Sequence, residues 1–310
     1  MKEKLLVKKR KTVSEIGFIC AMLAWPLIHF CVFWVYVNAN TFYLSFHRFN
    51  PAYGMYEWVG FDRFADILHG IFVNPDAQII NFIKNSLTVF PLKNFIMLPL
   101  SLVMAFFMSK KMPLSGMFRV IFFLPSILSV VVLALAFKYM FNPTFGPIDA
   151  LIKKLFGKAP VWLDITDGLA MKMTFSFTVW TGLGYKMMLF QSAIQRIPPE
   201  IVESAKLDGV SLTREFFRIT VPLVMSTVTT FFVLNTLEVF TYYLHPMLIC
   251  GESGGANGIT GTIALHVFGL TKRGYVEDAA AFGLFFSVVG IPFIFFIKRV
   301  LEKITPDVEF

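Results

Sequence analysis

The residues of this chain that could do chemistry are few and dispersed. His29, His47, His69, His245 and His266 never approach one another at metal-site spacing, and no His-Glu-x-x-His occurs. Cys20, Cys31 and Cys250 lack ligand spacing as well, and two of them fall in the first apolar run, so they read as small apolar packers. No Gly-x-x-x-x-Gly-Lys-Ser/Thr is present, so the usual cradle for a nucleoside triphosphate is missing. Lys93, Lys186 and Glu238 are ionisable residues set within apolar runs, and they compose no nucleophile and base pair. What remains is a charged island, Arg196 to Pro222, between two oily stretches. Its chemistry is that of recognition rather than catalysis.

Within the island, Pro198 and Pro199 suit the first turn of a short helix. Gly209 permits a sharp backbone reversal, and Ser211 can cap a second short helix carrying Leu212, Phe216 and Phe217. Two amphipathic helices held at a membrane surface are built to dock on another protein.

The membrane is implied by composition. Hydrophobic residues make up 56% of the 310, with 37 Phe and only 15% charged residues, against roughly 25% charged in a soluble domain. The net charge of +8 does not indicate nucleic acid, because Lys2, Lys4, Lys8, Lys9, Arg10 and Lys11 crowd directly before an apolar run, the positive-inside pattern. That run, 16–37, is long enough for a retained membrane helix and has no clear cleavage site after it. Six spans are expected, at about 16–37, 85–108, 119–141, 170–194, 221–244 and 277–298. The chain therefore divides into a basic amino-terminal segment, 1–15, a six-helix all-α domain, 16–298, and a tail, 299–310. Lys110, Lys111 and Arg119 lie in or beside the 2–3 loop, Arg196, Lys206, Arg214 and Arg218 in the 4–5 loop, and Lys298, Arg299 and Lys303 at the end of the last span. This bias puts both termini and those two loops in the cytoplasm, although Arg48, Arg63, Lys153 and Lys154 also occupy outer segments.

The outer segments carry structure of their own. Trp58 to Leu68 and Ile148 to Phe156 alternate at helical spacing and are expected to lie on the membrane face. Gly251, Gly254, Gly255, Gly258 and Gly261 make the last outer loop tightly turned or flexible. Pro91, Pro99 and Pro125 should kink their spans.

Glu203-Ser204-Ala205, Gly209, Ile219 and Val221-Pro222 match the spaced EAA loop pattern of ABC-importer permeases, with Ser204 for Ala and Val221 for Leu as departures. Further motifs extend the resemblance over roughly 58–298 to the carbohydrate-uptake, maltose permease-like, type I branch: Asn85-Ser-Leu87, Phe118 through Leu124-Pro125, Phe141-Asn-Pro-Thr-Phe-Gly146, Val161-Trp-Leu-Asp164, Trp180-Thr-Gly-Leu-Gly-Tyr185 and Gly274-Tyr275 before Ala279. The resemblance implies a type I importer fold in the bacterial cytoplasmic membrane. It also implies a second, different permease subunit, two cytoplasmic ATPase subunits that hold the ATP and Mg, and an extracytoplasmic solute-binding protein. This chain would then be no enzyme, would carry no cofactor or metal, and would couple to its ATPases through Glu203, Ser204, Ala205, Asp208, Gly209, Phe216, Ile219 and Pro222. Leu207, Val210, Leu212 and Phe216 would supply the apolar face of the docked loop.

The same resemblance places sugar contacts at Ser126, Val130, Thr178, Gly182, Tyr185, Asn235, Val239 and Tyr242, where aromatic faces and hydroxyl or amide groups suit a sugar. Valine cannot recognise a hydroxyl, so Val130 and Val239 set this ligand, or its pose, apart from maltose. Glu238 joins them because a carboxylate within a span faces a cavity or a cation. Two readings stand side by side: Lys93 or Lys186 pairs with Glu238 structurally, or Lys93, Lys138 and Lys186 favour an anionic sugar such as a uronate. Lys138 also sits where it can snorkel to the outer face. The alternatives are an importer of another solute, such as glycerol phosphate, and an ATP-independent carrier or channel. The latter would be supported by an inverted repeat with broken helices, and the sequence has no convincing one.

Overall fold

Apolar runs and their breakers set the architecture. The computed structural model describes residues 13–110, 114–166 and 168–304; the basic cluster Lys2 to Lys11, Lys111 and residues 305–310 lie outside the described residues. Thirteen helices follow in chain order among them. α1 is Ser14–Ser45, a run of 32 residues, or about 48 Å at 1.5 Å per residue. A hairpin comes next, β1 (His47–Asn50) paired antiparallel with β2 (Met55–Trp58), His47 opposite Trp58. α2 is Asp62–Leu68 and α3 is Ala77–Ser109. α4 (Ser115–Ile127) and α5 (Val130–Met140) meet at 105°. α6 is Pro147–Phe156, α7 is Leu169–Ile194, and α8 is Pro199–Leu207. α9 (Leu212–Leu223) bends by 71° into α10 (Met225–Thr241). α11 (Leu244–Cys250), α12 (Ile263–Lys272) and α13 (Val276–Ile304) complete the chain.

The six expected intervals are helical for most of their length, with breaks at Leu128-Ser129 and at Tyr242-Tyr243. Among the described residues α1, α3 and α13 are long and apolar enough to cross a bilayer, and the two bent pairs raise the number to five if each is one span. α7 is 26 residues long, yet Lys172, Lys186, Thr174, Thr178 and Thr181 dilute its apolar character. The expected third span is broken rather than kinked. Pro125 removes one intrahelical donor near the end of α4, and Leu128 and Ser129 are then extended.

The outer segment also departs from expectation. Trp58 ends a strand rather than opening a helix, because Gly60, at φ +59, reverses the chain before α2 starts at Asp62. Arg63 then rivets this region. Its guanidinium donates to Leu44 O at 3.2 Å and His47 O at 2.7 Å, and pairs with Asp278 at 3.0 Å. The end of α1, the hairpin, α2 and α13 are thereby held by one buried cation.

Three helices meet at the centre. The second half of α3 packs along α7, and α4 crosses α7 where a β-carbon at Gly184 would overlap the Phe122 carbonyl. Leu98, Leu102 and Ala105 of α3 share a core with Met187 and Phe190 of α7, Val224, and Phe231 of α10. Farther along α7, Met173 and Phe177 pack with Leu133 and Phe137 of α5 and Ile249 of α11. α10 also packs on α13 and on the first half of α3.

Candidate functional site

Two features occupy opposite ends of α10. The first is the loop that joins α7 to α10. Pro199 is the first residue of α8, and Ile197 before it is buried. α8 ends at Leu207, and the chain reverses at Gly209, at φ +67, where the Val210 N–H returns to Ala205 O at 3.0 Å. Ser211 Oγ accepts from the Arg214 N–H at 3.4 Å and caps α9. Both local expectations of capping and reversal are met.

The loop has two faces. Ala205 points inward, as does Glu215, which pairs with Lys110 at the end of α3. Phe216 is half-buried with its ring 5.1 Å from Phe106 of α3. It was expected on the outward, partner-facing side, but it packs on Phe106, and its neighbour Phe217 faces outward in its place. Leu207 is 89%, Phe217 64% and Leu212 56% exposed. Glu203, Ser204, Asp208, Gly209 and Pro222 are also exposed, whereas Val210 and Ile219 are half-buried. The outward face thus mixes acidic residues with large apolar ones, while the inward face is fixed to α3.

The second feature is a buried polar cluster where α3, α7 and α10 cross. After Pro91, α3 widens over Leu92–Met97, and this turn carries Lys93 and Asn94. Lys93 pairs with Glu238 of α10. Lys186 of α7 donates to Asn235 Oδ1. The Asn235 amide donates to Lys93 O at 3.3 Å and to Asn94 Oδ1 at 3.1 Å, so it ties the widened turn to α10. Lys93 Nζ also lies 5.4 Å from the Tyr242 ring centroid. The Tyr242 hydroxyl bonds Thr178 Oγ1, which also meets His245 Nδ1 at 2.9 Å.

Four residues expected around the sugar path therefore fall in two bonded groups, Asn235 and Glu238 with Lys93, and Thr178 and Tyr242 with His245, which meet where Lys93 lies over the Tyr242 ring. The other five are elsewhere. Val239 is fully buried, and Gly182 packs where a β-carbon would overlap the Met97 methyl group. Ser126 is exposed with its hydroxyl bonded to Phe123 O at 2.6 Å, Tyr185 is 54% exposed, and Val130 is half-buried. Lys138 donates to Leu248 O at 3.2 Å. Asn94 and His245 were missed, although each sits within three residues of a residue singled out in the sequence. Outside the spans, Asp164 accepts from the Thr166 hydroxyl and N–H, which hold its carboxyl below the usual range. Among the described residues no group of three His, Cys, Asp or Glu is placed to hold a metal.

Long apolar helices, a polar crossing of α3, α7 and α10 and an outward loop whose inner face is fixed to α3 define a membrane protein with a docking surface. Residues 97–309 match the family described as the binding-protein-dependent transport system inner membrane component, and the chain belongs to that family. It is 32% identical over 170 residues to the probable ABC transporter permease protein YurN of Bacillus subtilis (strain 168), a match covering 54% of this chain and 58% of that protein. It is 24% identical over 289 residues to the sn-glycerol-3-phosphate transport system permease protein UgpA of Agrobacterium fabrum, covering 91% of this chain and 94% of that one. In fold it resembles a chain of a bacterial ABC transporter involved in the import of the acidic polysaccharide alginate, with a TM-score of 0.80 at 21% identity over 95% of this chain and 98% of that one.

Proposed function

We propose that this chain is one of two different permease subunits of an ATP-driven importer for a sugar or oligosaccharide, with six spans, both termini and the 196–222 loop in the cytoplasm. The observation that carries the reading is the two-faced loop. Its inner face is clamped to α3 by Phe216 on Phe106 and by Glu215 on Lys110, while Leu207, Leu212 and Phe217 are left outward. Two ATPase subunits supply ATP and Mg, and an extracytoplasmic binding protein delivers the cargo. This chain hydrolyses nothing itself.

The loop's geometry supports a route for force. When the ATPases close on ATP, the groove holding α8 and α9 moves. Phe216, Ile197 and Val224 belong to one core with α3 and α7, so the displacement reaches α3, α7 and α10 together rather than one helix alone. The 71° elbow at Val224 turns the motion into a swing of α10. α7 and α10, continuous with the loop, would then rock and switch the exposure of the cavity between the helices.

The cargo reading we favour is an acidic saccharide. Lys93, paired with Glu238, and Lys186, bonded to the Asn235 amide oxygen, set two ammonium groups against one carboxylate within the helices, which suits a negatively charged ligand. Thr178, Asn235 and Tyr242 add groups that bond or stack on a sugar. A small phosphorylated solute is the second reading, favoured by the similarity to the glycerol-3-phosphate permease. The test is ATP-dependent uptake by the whole importer in proteoliposomes, comparing a uronate oligosaccharide, its carboxyl-reduced neutral form and glycerol 3-phosphate. Uptake of none of the three, or uptake without ATP, would overturn the reading.

A further inference from the structure

The polar cluster is unbalanced. Lys93 and Lys186 bring three donors each, and Asn94 Nδ2 is buried with no acceptor. Against these stand one carboxylate, Glu238, the amide oxygens of Asn94 and Asn235, and the Lys93 carbonyl, the last already taken by the Asn235 amide. The cluster is rich in donors and short of acceptors.

It is also layered. The Lys93 side chain is 6% exposed, but that of its partner Glu238 is 42% exposed. Leu234, Leu237 and Thr241 share the open face of α10 with Glu238. A ligand arriving on that face meets the carboxylate first and the buried ammonium behind it. Lys93 cannot stand bare in such surroundings between transport cycles, because an unpaired buried charge is strongly destabilising. Something must hold its place when no cargo is bound.

We propose that Glu238 is a resident counter-ion, and that a carboxylate of the cargo replaces it on Lys93 during passage while Lys186, steadied by Asn235, takes a second acceptor. This rests on the acidic-saccharide reading above. Selectivity then comes from exchange. An anion trades one ion pair for another, with Glu238 swinging to the open face, whereas a neutral sugar has no group able to take the lysine. The site discriminates by what can displace its own carboxylate. Glu238 is thus a specificity-determining residue, and its effect opposes that of the lysines around it.

The experiment uses the whole importer with its partner subunits and binding protein in proteoliposomes. The probes are a uronate tetrasaccharide and the same chain carboxyl-reduced. For Glu238→Gln we expect the half-saturating concentration for the acidic sugar to fall by about tenfold relative to the neutral one, the scale of one modest interaction. Because that variant leaves Lys93 unpaired, a second one, Lys93→Met with Glu238→Gln, removes both charges. It should lose acidic preference by at least about tenfold on the same scale. Equal shifts for the two sugars in the single variant, with an unchanged ratio in the double variant, would show a purely structural ion pair and overturn the proposal. A wild-type importer that takes up the neutral chain as readily as the acidic one would instead overturn the cargo reading on which it rests.

Discussion

Two adjacent phenylalanines should fail in different ways. Phe216 lies half-buried against Phe106 within the α3–α7 core, while Phe217 is 64% exposed on the outward face. Full burial of a phenylalanine is worth about 3–5 kcal/mol on truncation to alanine, so half-burial puts Phe216→Ala near about 2 kcal/mol of stability. That corresponds to a melting point lower by about 5 °C for a chain of this size. Phe217→Ala removes nothing from the fold and should stay within about 0.5 kcal/mol of wild type. If Phe217 anchors the ATPase, its loss costs about 2 kcal/mol of binding, or about thirtyfold in affinity. The assays are thermal unfolding of the purified chain in detergent and titration of the ATPase subunit onto it. Equal melting losses for the two variants would refute the two-faced loop, as would unchanged ATPase affinity for Phe217→Ala.

Other perturbations separate backbone, packing and charge. Gly209→Asp meets open space but forces φ +67 on a side chain; it should cost about 1 kcal/mol locally and abolish uptake while the chain still purifies folded, as should Glu203→Lys. Gly184→Ala would overlap the Phe122 backbone carbonyl, pushing α4 off α7 and lowering stability by at least about 1–3 kcal/mol, read by thermal unfolding. Lys110→Met strands the buried Glu215 carboxylate and should cost about 3 kcal/mol, whereas Lys110→Met with Glu215→Gln recovers most of it; a double variant no better than the single would contradict the pairing.

How much of this was legible in sequence depends on the range of the force involved. The α8–α9 loop was legible because Pro199, Gly209 and Ser211 act locally through missing donors, positive φ and a capping hydroxyl. The orientation of Phe216 and Phe217 was not, since either ring suits an apolar face and only contact with Phe106 selects which of them turns inward. The stretch around Trp58 misled because a few alternating residues fit either period, and the partner strand His47–Asn50 decides between them. Pro125 marked a weak helix, but whether the chain kinks or breaks depends on what covers the freed carbonyls. The cost of a charge in apolar sequence pointed to Glu238 and Lys93. Asn94 and His245 carried no such signal, because a neutral polar side chain in a helix looks the same whether it joins a network or bonds its own backbone.

The central claim, that an ATPase drives this permease through the 196–222 loop, is tested most directly by a crosslink. Leu207, 89% exposed at the tip of α8, is changed to cysteine after Cys20, Cys31 and Cys250 are changed to serine, with a single cysteine placed in the groove of the ATPase subunit. The account predicts a disulfide between the two chains that blocks ATP-dependent uptake in proteoliposomes and releases it on reduction. An intact complex in which Leu207→Cys never crosslinks to the ATPase, or in which the crosslinked importer transports as fast as the reduced one, would contradict it.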